Sequence, residues 1–401
     1  MIPILALMLP MLFQGPAGED VYALKAAKVF TAGDAGVLNN AIVLVRGKRI
    51  AAVGRADQID LPPGTPVIDL GEQWLAPGLH EPHNHAADSG NDINDMVHPT
   101  NPDLRVAIGV DPDNPANKDA LAGGVTTALF IPGSGTNIGG FGALIKMAGH
   151  DMDDMLVMNP GSLKVAQSGN PERWYPFVGR SLMNWNTRDT LQRGLGWAEG
   201  YAAGEIGWSD FWRDFEPLLA KDIPVSVHTQ IYQVVLMTLT MQKQELGLDP
   251  FIDHGTFDGY KLAKLAAELK VPVMNGPRQF FFDRTNSRIQ GCGAGWAEAV
   301  PDGLVLGYNT DSGGVPQEEL SYQAAMGVRL GHDDPEGALK GITSYAAFAL
   351  KCDDVSGRLE PGLEADMVAW TGFPLDPRSF VTRTWIRGEL VYDAERDGRR
   401  F

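Results

Sequence analysis

The chain has 401 residues, 44% hydrophobic and 21% charged, enough to bury a large core and far from the composition of a disordered protein. A formal net charge of −17 argues against nucleic acid or an anionic membrane surface as partners. The only cysteines, Cys292 and Cys352, exclude both a disulfide framework and a cysteine-built zinc site.

In chain order, the first segment is MIPILALMLPMLFQGPAGED, in which an apolar run from Ile2 to Phe13 precedes the small residues Gly15 and Ala17. It resembles a secretory leader of residues 1–17, which would place the protein in the periplasm or outside the cell; without cleavage and export it would be cytoplasmic. The run is too short to span a bilayer, and no other segment qualifies, so no membrane span is expected. From Val21 to Gly71 the pattern is β, with a hairpin signal at Arg46-Gly47-Lys48-Arg49. The C-terminus repeats it: ADMVAW (Ala365–Trp370), then TWIRGELVYD (Thr384–Asp393) with Arg387-Gly388 at its turn. The two ends, residues 18–74 and 357–401, are therefore expected to form one small β-sandwich.

Between them, in residues 75–356, apolar strand-like runs alternate with helical ones. The strand candidates are WLAPGLHEPH, VTTALFI, GALIKMA, SLKVA, IPVSVH, FIDH, VPVMNG and LVLGYNTD. KDALAGG, DGYKLAKLAAELK and PEGALKGITSYAAFALK read as connecting helices. Eight strands with helical spacers predict an α/β fold, a (β/α)8 TIM barrel. The Gly-rich GSGTNIGGFGAL (Gly133–Leu144) lacks GK[ST] and precedes a strand, so it fails as a phosphate loop and reads as the connection between the second and third strands. Residues 168–221 carry five of the nine tryptophans, Trp174, Trp185, Trp197, Trp208 and Trp212. That segment reads either as a lid over the site or, preferred, as a helical patch with its own small core or an oligomer contact, which leaves a homo-oligomer open.

Three of the eight histidines stand within WLAPGLHEPHNHAAD. His83 and His85 are two apart on a strand, so their side chains share a side and can grip one metal ion. A lone His-x-His is weak evidence. His228, however, ends the fifth candidate strand, His254 the sixth and Asp311 the eighth, where barrel enzymes place working residues. Together they make a metal-site constellation. Lys164 lies among apolar neighbours on the fourth strand. A lysine there must lose or pair its charge, and a neutral amine can take up carbon dioxide to become a carbamate ligand. Lys146 on the third strand poses the same problem and is the alternative, with Lys164 favoured. His80 faces away from His83 by strand alternation. His98, His150 and His332 read as surface residues. Tyr232 and Arg278, just past the fifth and seventh strands, are candidates to hold a substrate carboxylate or carbonyl.

With these residues in view, the sequence resembles the metal-dependent amidohydrolase superfamily, nearest its imidazolonepropionase-like and related branch. PGLHEPHNH resembles the first-strand motif, with Glu81 where an Asp is usual; AGGVTTALFIPGS, GSLKVAQSGNP, VSVHTQ, IDHGTFDGYKLA, NTDSGG and GRLEPGLEADMVAW resemble later motifs. The resemblance implies that His83 and His85 bind one metal with Asp311, that His228 and His254 bind a second, and that carboxylated Lys164 bridges them. It also implies a metal-activated hydroxide as nucleophile, with Asp311 passing its proton to the leaving nitrogen. The expected activity is hydrolysis of a C–N bond in a small-molecule substrate: a cyclic amide, an N-acyl or ureido compound. A Xaa-Pro-type metallodipeptidase is the alternative, with a catalytically inactive scaffold behind it. The cofactor is expected to be one or two divalent ions; zinc is preferred, while iron, manganese and cobalt also suit such ligands.

Overall fold

The computed structural model describes residues 20–87, 93–167, 169–175 and 177–401. The expected leader at 1–17 lies outside the described residues. No helix among the described residues is long and apolar enough to cross a membrane.

The N-terminal strands are β1 (Val21–Phe30), β2 (Val37–Arg46), β3 (Arg49–Arg55), β4 (Val67–Asp69) and β5 (Trp74–Pro77). Barrel strands follow: β6 (Leu79–Asn84), β7 (Val125–Phe130), β8 (Ile138–Lys146), β9 (Leu156–Ala166), β10 (Val225–Thr229), β11 (Pro250–His254) and β12 (Val273–Asn275). A small hairpin, β13 (Phe280–Asp283) and β14 (Arg288–Gly291), precedes the last barrel strand β15 (Leu306–Tyr308). The chain ends with β16 (Met367–Trp370), β17 (Val381–Ile386) and β18 (Glu389–Asp393).

The two ends of the chain combine in one mixed sheet of order β18-β17-β16-β5-β1-β2-β3, with β4 beside β1. Its hairpins turn where the sequence signalled them. Arg387 and Gly388 have φ of 50° and 78°, the two positive values that a tight β17–β18 turn requires. Leu24, Val29, Val43, Val45, Met367 and Trp385 form the core of this sheet. Phe30, Ala76, Val368 and Trp370 join Leu79, Val125 and Leu339 in a second cluster that fastens it to the barrel.

The barrel strands follow the order β15-β12-β11-β10-β9-β8-β7-β6. Closure comes from beyond the strand ends, where His85 N donates to Ser312 O at 3.0 Å and Ser312 N to His83 O at 3.1 Å. All eight expected strands are present, but the expected uniform βα alternation is not. β8 runs antiparallel to both β7 and β9. The cause is connection length. Only residues 131–137 link β7 to β8, too few for the crossover that a parallel neighbour needs. The Gly-rich segment read as a connection is therefore strand from Ile138 onward. Its glycines fit close approaches: a Cβ on Gly140 (φ 107°) would lie 2.6 Å from Leu104 O, and one on Gly142 would lie 2.7 Å from Phe130 O.

The helices are α1 (Pro115–Ala122), α2 (Met152–Met155), α3 (Asn170–Trp174), α4 (Arg180–Ala202), α5 (Phe215–Ala220), α6 (Tyr232–Met237), α7 (Ala263–Glu268), α8 (Cys292–Ala297), α9 (Leu320–Arg329), α10 (Pro335–Lys340) and α11 (Ser344–Ala349). α1 starts as its sequence dictates, with Pro115 in the first turn and the Asn114 side chain accepting from Ala116 N. The single helix expected over PEGALKGITSYAAFALK is broken into α10 and α11. Gly341 packs on β15, where a Cβ would meet Leu306 O at 2.8 Å, and that contact replaces a continuous turn. In the Trp-rich segment, Trp197 and Phe215 pack with Leu163 and Val225, so the helical patch shares a core with the barrel rather than having one of its own. Trp174, Trp185 and Trp208 remain more than half exposed.

Candidate active site

Strand alternation delivers the site. β6 carries His83 and, just past its end, His85, with their Nε2 atoms 3.0 Å apart. β11 ends in His254, whose Nε2 lies 2.8 Å from Nδ1 of His228 on neighbouring β10. Asp311, beyond β15, puts Oδ1 3.3 Å from His83 Nε2 and 3.6 Å from His85 Nε2. Lys164 on β9 brings Nζ to 3.2 Å from His83 Nε2. All six expected ligand positions thus meet at one end of the barrel. His254 and Asp311 hold positive φ of 74° and 51°, conformations that cost free energy and that surrounding structure must impose.

The hydrogen-bond network fixes the tautomers. His85 Nδ1 donates to Ile131 O at 2.9 Å and His254 Nδ1 to Gly276 O at 2.8 Å. His83 Nδ1 faces Asp253 Oδ2 at 3.2 Å. His85 and His254 therefore turn Nε2 lone pairs inward, and His83 turns its Nε2 toward that of His85 at 3.0 Å. A cation between the two rings would draw both nitrogens to it. Nitrogens bound tetrahedrally at roughly 2.0–2.1 Å would sit near that separation. His83, His85 and Asp311 form a group whose ligand atoms all lie within 4.8 Å of one another and could hold a metal ion. The donor set therefore fits a divalent cation.

Electrostatics agree. Burial, with His83 and Lys164 nearby, pulls His85 down to about 3. Burial and then His83 pull His254 down to about 4. Burial and His254 hold His228 well below the ordinary histidine value. These rings are neutral, the form that binds metal. Burial and Lys164 oppose charging His83, but Asp253 and Asp311 keep its pKa above the ordinary value. Burial opposes the charge on Asp311, yet the surrounding histidines hold its carboxyl far below the usual range, so it is ionised. Burial pulls Lys164 down to about 8, against Asp253 and Asp311, which leaves a usable neutral amine fraction near neutral pH.

Lys146 is elsewhere. Because β8 is inverted, its C-terminal end lies at the opposite end of the barrel. There Lys146 pairs with Asp366 at 2.5 Å and Glu364 at 3.0 Å and donates to Thr127 at 3.2 Å. His80 faces the same end, 2.9 Å from Ser356 Oγ, as alternation predicts. Tyr232 does not line the site cavity; its ring packs against the cluster containing Leu262 and Trp296, because α6 begins there and turns it outward. His332, expected on the surface, is 3% exposed, with Nδ1 2.7 Å from the Tyr308 hydroxyl. His98 and His150 are exposed.

Two supporting acids were not singled out as such by sequence. Asp253 immediately precedes His254 and accepts from Ser226 Oγ besides facing His83. Glu81 is fully buried and accepts from His83 N, Thr310 N and Thr310 Oγ1 at 3.0, 3.0 and 2.6 Å, tying β6 to the β15 end. Burial pushes its pKa up to about 8. Their only sequence signal was position: an acid one residue from a ligand, and one two residues before it. A cavity of about 330 Å³ opens over the site, lined by His228, His254 and Asp311 together with Arg173, Phe257 and Arg278.

Fold and site together define a barrel enzyme whose histidine–aspartate centre could hold a metal ion. The model of the amidohydrolase family matches residues 241–391. Among curated proteins, the imidazolonepropionase of Pseudomonas entomophila is 25% identical over 398 residues, covering 91% of this chain and 94% of that protein. The imidazolonepropionase of Colwellia psychrerythraea is 24% identical over 336 residues, covering 76% and 77%. An amidohydrolase of Hapsidospora irregularis is 22% identical; the match covers 88% of this chain but only 40% of that longer protein. Among solved structures, an amidohydrolase from Thermotoga maritima MSB8 superposes with a TM-score of 0.83 at 29% identity, over 93% of this chain and all of that one. The chain is thus similar to amidohydrolases over nearly its whole length, and to imidazolonepropionases among the curated proteins. It is a hydrolase acting on carbon–nitrogen bonds.

Proposed function

We propose that the protein is a metal-dependent hydrolase of a C–N bond in a small molecule: a cyclic amide, or an N-acyl or ureido compound. The observation that carries this reading is the convergence of the Nε2 atoms of His83 and His85 on the ionised Asp311. His83, His85 and Asp311 would hold one divalent ion and His228 with His254 a second, Zn2+ being the expected metal. When bound, such an ion supplies Lewis acidity and lowers the pKa of water toward about 7. The chain's residues do the rest. The neutral Lys164 amine attacks carbon dioxide, forms an N–C bond and loses a proton, giving a carbamate able to bridge both positions. Asp311 accepts the proton of the attacking water and delivers it to the leaving nitrogen. Glu81 and Asp253 hold β6 and His83 in register for this. Residues 75–356 are read as the catalytic barrel. Residues 18–74 with 357–401 are read as the accessory β-sandwich, whose sheet carries separate apolar clusters around Val43 and around Ile42.

A peptidase reading has one observation in its favour, Arg278 at the cavity, where a dipeptide's carboxylate would need a cation. The solved Xaa-Pro dipeptidase with bound methionine shares the fold at a TM-score of 0.60 and 15% identity.

The deciding measurement is metal content per chain after expression with zinc and bicarbonate, for the wild type and Lys164→Ala. About two ions, falling to about one in the variant, is expected. Turnover of a panel of cyclic amides, N-acyl compounds and dipeptides then sorts the substrate classes. A wild type that takes up no metal would sink the reading.

A further inference from the structure

We propose that Ser134 is a protein ligand of the second cation position, beside His228 and His254. This rests on the metal-dependent reading above and adds to it a residue from outside the barrel strands. Ser134 Oγ lies 2.9 Å from Nδ1 of His228. The same Nδ1 lies 2.8 Å from Nε2 of His254. One ring nitrogen thus faces both a second ring nitrogen and a hydroxyl oxygen. His254 Nδ1 donates to Gly276 O, so its Nε2 carries a lone pair, and a hydroxyl oxygen has lone pairs of its own. Nitrogen and oxygen donors gathered in this way are what a divalent ion takes.

His228 differs from the other three rings. His85 and His254 are braced through Nδ1 by Ile131 O and Gly276 O, and His83 Nδ1 faces Asp253. His228 instead turns Nδ1 toward the other histidines, and among the described residues no hydrogen bond holds its Nε2. Its orientation therefore depends on Ser134 and on what Nδ1 shares with His254.

The inversion of β8 delivers the hydroxyl. In a regular βα unit the chain would leave β7 for a helix. Here residues 131–137 turn back across the strand ends, and Asn137 O accepts from Ala166 N at 2.9 Å beside the end of β9. Residues 93–99 pin this link. Gly133 N donates to Ile93 O at 3.1 Å, and Asn137 N to Pro99 O at 2.8 Å. A Cβ on Gly133 would lie 2.5 Å from the Asn94 amide, and one on Gly135 would lie 2.5 Å from Met96 Sδ. Those two positions have no room for a side chain. Ser134 between them carries the one side chain of the Gly-Ser-Gly, and its hydroxyl meets His228. The Gly-rich stretch that fails as a phosphate loop thus has a use at the site.

The test is metal binding to the full chain. In Ser134→Cys loaded with Co2+, a thiolate within reach of the ion should give a sulfur-to-cobalt charge-transfer band in the near ultraviolet. The wild type, whose two cysteines are buried, is the blank. In calorimetric titration with Zn2+, Ser134→Ala should weaken the second ion by about tenfold or more and leave the first unchanged. Ser134→Thr keeps the hydroxyl and should bind the second ion as the wild type does. A cobalt-loaded cysteine variant without the band, an alanine variant that binds both ions normally, or a threonine variant as weak as alanine would overturn the ligand. A wild type that stops at one ion would overturn it too and leave a one-ion hydrolase; one that takes up none would overturn both readings. Turnover is read separately. The expected binding pattern without cleavage of any C–N compound would overturn the hydrolase reading and keep the ligand.

Discussion

At the residue scale, the candidate ligands were legible because each had an address: the end of an apolar run. His83, His85, His228, His254 and Asp311 needed only strand alternation and the barrel rule to be brought together, and they meet. Lys164 and Lys146 could not be separated that way, since both are fully buried lysines on barrel strands. What separates them is strand direction, which one-dimensional periodicity does not encode. Tyr232 and His332 failed for a similar reason: a residue just past a strand can turn either way, and a polar flank such as LGHDDP does not reveal a buried Tyr308 beneath it. His80 offers a prediction of its own. Burial, reinforced by Lys146, pulls its folded pKa to about 3, well below the ordinary 6.5. Between those values the unfolded chain binds the proton more readily. His80 therefore contributes fully to stability above pH 6.5, and the contribution is lost as pH falls toward 3. Urea midpoints measured from pH 7 to 4.5 should show His80→Gln flattening the slope by up to about 1.4 kcal/mol per pH unit. An unchanged slope would mean that His80 is charged in the folded protein.

At the element scale, every barrel strand was readable, whereas the inversion of β8 was not. Strand-like hydrophobicity looks the same in either direction, and only the short 131–137 link betrays it. The glycines of β8 were visible but misread as loop chemistry. They are there because neighbouring backbone comes within Cβ distance. Gly140 combines a φ of 107° with Leu104 O in the way. Gly140→Ala should destabilise the protein by roughly 1–3 kcal/mol, read as a shift in urea midpoint at constant slope. An alanine variant as stable as wild type would show that β8 has room to shift.

At the scale of the whole molecule, the barrel and the terminal sheet are joined by buried charge as well as by apolar contact. Lys146, at the inverted end of β8, meets Asp366 and Glu364 just before β16, and Arg387 adds a contact from its Nε to Glu364 at 3.2 Å. Lys146→Met would leave two acids facing no lysine in a dry interface, at a cost of about 3–5 kcal/mol. Metal content per chain should stay at the wild-type level, the opposite of Lys164→Ala. A Lys146→Met protein that loses metal while keeping its denaturation midpoint would reverse the assignment of the two lysines.

The pairing of β5 with β16 has a temporal meaning. Ala76 lies opposite Val368, so the strand leading directly into His83 and His85 gains that neighbour only once Val368, far downstream, has been made. During synthesis the first ligands emerge from the ribosome early and wait. The barrel cannot be sealed until Ser312 arrives, nor its base covered until β16 follows. Assembly of the centre therefore waits on residues far downstream of its first histidines. Chains released before Ser312 would carry His83, His85, His228 and His254 with no closed frame to aim them.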